Sequence, residues 1–380
     1  MTDRLSALLR SEADGLDVPA PASGTVLAAG RRLRRRRRTT SALAGVAALA
    51  LVAGGAALTL GGPDEGRAVD PAGPPVVAEV EVGPVFSIGT TLYLDGGARS
   101  ASVDDTAIKS LYYTSAGVVV RHGENPFSDG GGAQRFSLVR PDGTVNRLQV
   151  TSHDTVYATD PGEPYLAYAR TREGTAEVVV HDVRTDEDVA VVPLPGARST
   201  WLPVSLSEGL VYVGAGDENF VVDWRTGEVT QPDIVRGMPF VAGGHSPVYG
   251  GKAGSSVIDA TTGDTLLPVV TAGYEGFFTL SPDGRFAQVV AEGTETTEEF
   301  DVYDVVTGTH VTLPGQSFDY GWTADGDLFR LQGPVLSVCE ADTGDCTEST
   351  PDLASLPSDA ASSPDDFSRW LRLGGVSYQS

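Results

Sequence analysis

The chain has 380 residues, with 27 Lys and Arg against 51 Asp and Glu and a formal net charge of −24. So acidic a protein does not bind nucleic acid or anionic lipid through its bulk field, and its five histidines (His122, His153, His181, His245, His310) show no helical or hairpin ligand spacing. The charge is unevenly divided: residues 1–38 hold nine Arg against four acids, net +5, while the remainder holds 18 basic and 47 acidic residues.

The first element is a short head, residues 1–38. Thr2 can cap a helix that places Leu5, Leu8 and Leu9 on one face, a candidate docking stripe for a cytoplasmic protein. Seven arginines close the head (Arg31, Arg32, Arg34, Arg35, Arg36, Arg37, Arg38) and stand before an uncharged stretch, residues 39–62, whose apolar centre is Ser41–Leu60. Twenty helical residues cover a hydrocarbon core of roughly 30 Å, so one transmembrane helix is expected. The arginines orient it with the head in the cytoplasm and the C-terminal domain outside. The length of leader and span favours a retained single-pass anchor over a cleaved signal peptide. Lysine is nearly absent (Lys109 and Lys252) beside abundant Arg, Ala, Gly and Val, the usage of a GC-rich genome and of an actinobacterial source.

A linker, residues 63–83, precedes a domain over 84–349 in which one pattern recurs. An apolar strand enters Asp-x-x-Thr-Gly and a second strand leaves it, at Asp223–Gly227, Asp259–Gly263 and Asp304–Gly308, with weaker copies at Asp182–Asp186 and Glu340–Gly344. Asp and Thr oxygens accept from turn N–H groups and Gly takes a positive φ, so each copy predicts a hairpin. Pro141-Asp142-Gly143 and Asp95-Gly96-Gly97 extend the series, which makes seven turns at a period near forty. Several strands per unit at that period predict a β-propeller, all-β, with four strands per blade. Seven blades are favoured and six are possible, because the first unit is incomplete. The tail, residues 350–380, supplies a closing strand at Arg369–Leu373. Cys339 and Cys346 flank the last turn, where antiparallel strands bring them within reach of a disulfide.

Thr279–Phe286, which contains Ser281-Pro282-Asp283-Gly284, followed by Asp301–Gly308 resembles the repeat of WD40-like, TolB-like and YVTN-type bacterial β-propellers. The resemblance spans residues 84–349 and implies a binding platform; it carries no family active site onto this chain. The layout of the head likewise resembles single-pass actinobacterial membrane proteins that hold an alternative sigma factor. The His-x-x-x-Cys-x-x-Cys zinc pattern of many such heads is absent.

No Gly-x-Ser-x-Gly elbow and no Asp-x-Asp-x-Asp-Gly calcium loop occur. No catalytic residue, metal ligand or cofactor is assigned. Gly130-Gly131-Gly132 and Gly243-Gly244 are expected to be loops, and Trp201, Trp224 and Trp322 to pack between blades. The expectation is a membrane-anchored extracytoplasmic binding or sensing module for a protein or small ligand, without nucleic acid. The alternatives are the sensor arm of a sigma-factor regulator and an enzyme acting on envelope glycans or lactones.

Overall fold

A computed structural model describes residues 82–376, apart from 128–131, 153–155, 198, 200, 236, 250–254, 269–275, 292–297 and 358–366. Leu5, Leu8, Leu9, the seven arginines Arg31 to Arg38 and the expected span lie outside the described residues. Among the described residues no helix is long and apolar enough to cross a membrane.

The described strands fall in chain order into seven antiparallel sheets. The first blade holds β1 (Phe86–Ile88), β2 (Thr91–Leu94) and β3 (Arg99–Ser102); the second β4 (Ala107–Thr114), β5 (Gly117–Gly123), β6 (Gln134–Val139) and β7 (Val145–Ser152). The third comprises β8 (Ala158–Thr159), β9 (Tyr165–Arg172), β10 (Thr175–Asp182) and β11 (Glu187–Pro193), and the fourth β12 (Val204–Ser207), β13 (Leu210–Ala215), β14 (Glu218–Asp223) and β15 (Glu228–Thr230). The fifth has β16 (His245–Tyr249), β17 (Ser255–Asp259) and β18 (Thr265–Leu267). The sixth follows with β19 (Gly276–Leu280), β20 (Phe286–Ala291), β21 (Glu299–Asp304) and β22 (His310–Pro314), and the seventh with β23 (Gly321–Trp322), β24 (Leu328–Gln332), β25 (Val335–Cys339) and β26 (Cys346–Ser349). A last strand, β27 (Leu371–Leu373), returns to the first blade, where Phe86 faces Leu373 and Ile88 faces Leu371. The fold is therefore a seven-bladed propeller closed by its C-terminal strand, and the six-bladed alternative falls.

The core explains the closure. Side chains alternate across each strand, so Val118 and Val120 of β5 pack towards the first blade while Val119 packs towards the third. Each of seven apolar clusters likewise joins two neighbouring blades, down to Phe86 and Leu373 against Phe329 and Leu331 across the seam between first and seventh. A single blade cannot bury both faces; the ring does it for all of them.

All seven marker turns stand at the same place, between the third and fourth strands of a blade, and the five Asp-x-x-Thr-Gly-like copies share one backbone bond from the fifth residue to the first. In the fifth blade Gly263 N–H donates to the Asp259 carbonyl at 2.9 Å, and Asp259 Oδ1 accepts from the N–H groups of Thr261 and Thr262. Gly263 stands at φ 79°, and Asp186 fills the equivalent place in the third blade at φ 60°. Cys339 and Cys346 are opposed in register and disulfide-bonded.

One expectation is corrected: the blades do not all have four strands. Among the described residues the fifth blade has three strands and no innermost one. Residues 233–235 and 237–242, with Pro239 and a left-handed Gly237, precede β16 and make only an isolated bridge, Ala242 to His245. Proline has no N–H for the ladder, which is why pairing fails there.

Candidate binding channel

In an antiparallel blade the first-to-second and third-to-fourth hairpins share one face, and the remaining loops and blade-to-blade connections share the other. The innermost strands surround the axis and enclose a cavity of about 1570 Å³. Its wall is mainly apolar, with Leu111, Val204, Val241, Phe278 and Leu371 contributed by five different blades or the connections that replace them. The cavity widens where inner strands are short or missing: Ser246 and Val248 of β16, Gln288 of β20 and Arg330 to Gln332 of β24 line it, although all belong to second strands. That volume exceeds the roughly 300–1,000 Å³ of ordinary small-molecule pockets.

Polar side chains are interspersed in the wall, and several are held by backbone carbonyls. Ser205 Oγ donates to the Pro239 carbonyl at 2.8 Å and accepts from Val241 N–H, which ties the replacement segment to the fourth blade. Gln288 Nε2 donates to the Ser317 carbonyl at 2.5 Å. Burial raises the Asp319 carboxyl above its ordinary range, while the Arg330 guanidinium nearby opposes that rise. Arg330 itself donates to the Pro314 carbonyl and lies over the Tyr320 ring.

The connection face carries exposed aromatics. Phe127, Trp201, Tyr249 and Phe318 are exposed, Phe318 to 70%, and stand on loops, connections or strand ends of that face. Exposed aromatics on one face are a common feature of recognition surfaces. Trp201 thus departs from the expected packing between blades. Trp322 is buried in the seam of the sixth and seventh blades, and Trp224 packs edge-on against Tyr165 between the third and fourth. Gly243 and Gly244 form a hairpin, as expected of a loop.

Two clusters escaped sequence reasoning because their members come together only through register. His122 Nδ1 lies 2.6 Å from Asp105 Oδ2 and its Nε2 lies 2.9 Å from Ser137 Oγ, an acid–imidazole–hydroxyl order like that of a hydrolase triad. Ser137 is only 3% exposed, however, and Arg135 grips the same carboxylate through Nε and Nη2. With no surface for a substrate carbonyl to approach, the cluster pins the first connection to the second blade. Burial would raise Asp105, but the Arg135 and His122 hydrogen bonds outweigh it and hold the carboxyl well below its usual range; burial lowers His122. The other cluster centres on Lys109, the bulged residue of β4. Fully buried, it donates through Nζ to Asn125 Oδ1 at 2.8 Å and to the Phe127 carbonyl at 2.5 Å. Phe127 in turn packs edge-on against Phe367 and Trp370 of the C-terminal segment.

Among the described residues no group of three His, Cys, Asp or Glu is placed to hold a metal ion. His181 instead bridges Asp186 and Asp188, and His245 Nδ1 meets the Gly284 carbonyl at 2.8 Å.

No protein-family profile matches the sequence, and no curated protein matches it. Solved structures of similar fold include TolB from Acinetobacter baumannii, at 12% identity and a TM-score of 0.39, covering 77% of this chain and 66% of that one. A chain of the mitotic checkpoint complex matches at 14% identity and a TM-score of 0.43, covering 81% of this chain and 91% of that one. A functionally unknown protein from Desulfotomaculum acetoxidans DSM 771 matches at 12% identity and 0.42, covering 71% and 100%. This chain thus spans just under two thirds of the TolB structure. At these identities and scores the likenesses add nothing to the seven-bladed architecture that the sheet order already establishes.

Proposed function

We propose that this chain is a single-pass membrane protein, head inside, that displays its propeller outside the cytoplasm as a binding or sensing module. The observation that carries the reading is the axial cavity of about 1570 Å³, apolar-walled and widened by the missing inner strand of the fifth blade. Its ligand reaches the cavity from the face that bears Phe127, Trp201, Tyr249 and Phe318. The placement rests on the uncharged stretch 39–62 and the arginines before it.

Placement is tested by a reporter active only in the cytoplasm, fused after Ser380: silence is expected, and activity overturns the orientation. Binding is tested by thermal unfolding of the full chain in nanodiscs with and without fractions of small envelope molecules. A fraction that raises the midpoint for the native chain, but not for Val248→Trp with its narrowed cavity, supports the channel as the site. A shift equal in both places the ligand elsewhere.

A further inference from the structure

Several described arginines of this domain stand against carboxylates: Arg135 on Asp105, Arg170 on Glu177, Arg184 on Asp182, Arg225 on Glu163 and Arg285 on Asp304. Arg372, in the strand that closes the ring and in the wall of the cavity, does not. Its Nη2 donates to the Pro126 carbonyl at 2.6 Å and its Nη1 to the Leu371 carbonyl at 3.3 Å, with Nε buried and without an acceptor. The guanidinium lies 5.4 Å from the centre of the Trp370 ring. Two neutral carbonyls fix the side chain in place without neutralising it, and a charge withdrawn from water without a counter-ion is costly. Burial accordingly pushes Arg372 down to about 10.

The other charges of the wall single out this position. Arg330 Nε is likewise buried without an acceptor, but Arg330 has the Asp319 carboxyl close enough for the two charges to interact. The second acid of the wall, Asp233, belongs to the connection between the fourth and fifth blades, across the ring from the first. Arg372 is therefore a positive end in a wall that is otherwise mainly apolar.

Resting on the channel as the binding site, we infer that it takes a small amphiphile with an apolar body and one anionic end group, which seats at Arg372 and supplies the missing counter-charge. Carboxylate and phosphate share that chemistry, and both pair with guanidinium through parallel N–H donors.

The test is calorimetric titration of the full chain in nanodiscs, corrected with empty nanodiscs, using dodecanoate, dodecyl phosphate and dodecanol as probes. At least one anionic probe should bind saturably and about tenfold or more tighter than dodecanol, as a charge-assisted hydrogen bond implies; which of the two does so identifies the end group. Arg372→Gln should erase that preference and Arg372→Lys should keep much of it. Should Arg372→Gln fail to fold, as judged by circular dichroism, the comparison of anionic with neutral probe on the native chain still decides. Equal affinity for all three probes, or a preference that survives in folded Arg372→Gln, overturns the inference and leaves the channel as a neutral apolar site. Absence of saturable binding by any probe also overturns it, whereas the channel reading stands or falls separately on the Val248→Trp comparison.

Discussion

Tyr113 Oη donates to the Trp322 carbonyl at 2.8 Å in a buried contact that joins the second blade to the seventh, past the end of the strand that closes the first. Trp322 N–H donates in turn to the Gly374 carbonyl, and Gly374 N–H to the Val85 carbonyl, so the seam of the ring is laced by one chain of hydrogen bonds. Burial raises the Tyr113 phenol above its ordinary value, which keeps it a neutral donor. Tyr113→Phe leaves the ring in place and orphans the carbonyl. It should destabilise the domain by about 1–2 kcal/mol, read as a lower urea midpoint at unchanged slope. An unchanged midpoint would show that the contact is idle.

Ring closure has its own signature. Leu373 is buried between Phe86, Phe329 and Leu331, so Leu373→Ala should cost about 2–4 kcal/mol. Val306, 73% exposed at a hairpin tip, should accept Ser within about 0.5 kcal/mol. Equal midpoints for the two variants would mean that the C-terminal strand does not hold the ring.

Acid should weaken the second blade in two stages. His122 is buried with its pKa lowered by desolvation, so the unfolded chain protonates it first, near its ordinary value of about 6.5. Stability is then lost as pH falls through and below that value. Asp105, held low by Arg135 and His122, adds stability present above its unfolded value of about 3.9 and lost as pH drops beneath it. Urea midpoints measured from pH 7.5 to 5 should fall for the native chain and fall less steeply for His122→Gln. A steeper fall in the variant would contradict the buried, neutral imidazole.

Reduction of Cys339–Cys346 opens only a short loop, with a sequence separation of 7. The loss should be about 2 kcal/mol by loop entropy, too little to unfold a seven-bladed domain at room temperature. Full unfolding by dithiothreitol alone would assign the bridge a larger part than the loop allows.

The blade count was legible because each marker turn is a local device. Asp223 Oδ1 accepts from Arg225 and Thr226 N–H within three residues, and no distant partner is needed to read it. The closing strand was legible for a similar reason, a short apolar pattern at the end of an otherwise loop-like tail, although the strand starts at Leu371 and Phe367–Arg369 forms a turn of 3-10 helix instead. The missing inner strand of the fifth blade leaves only a faint mark in the sequence, Pro239 and Gly237, within a blade whose marker turn is intact. The cavity wall and the Asp105–His122–Ser137 cluster were beyond sequence pattern altogether. Ser137 stands across from Val120, beside His122 on one strand pair, while Asp105 arrives from the preceding connection. Only ring geometry brings Arg372 to Pro126.

The most direct test of the account is native mass spectrometry of the full chain isolated from the cells that make it, beside Val248→Trp prepared in the same way. The account predicts a non-covalent small-molecule adduct of defined mass on the native chain and its loss from the variant with the narrowed channel. The same adduct at the same occupancy on both proteins would contradict it.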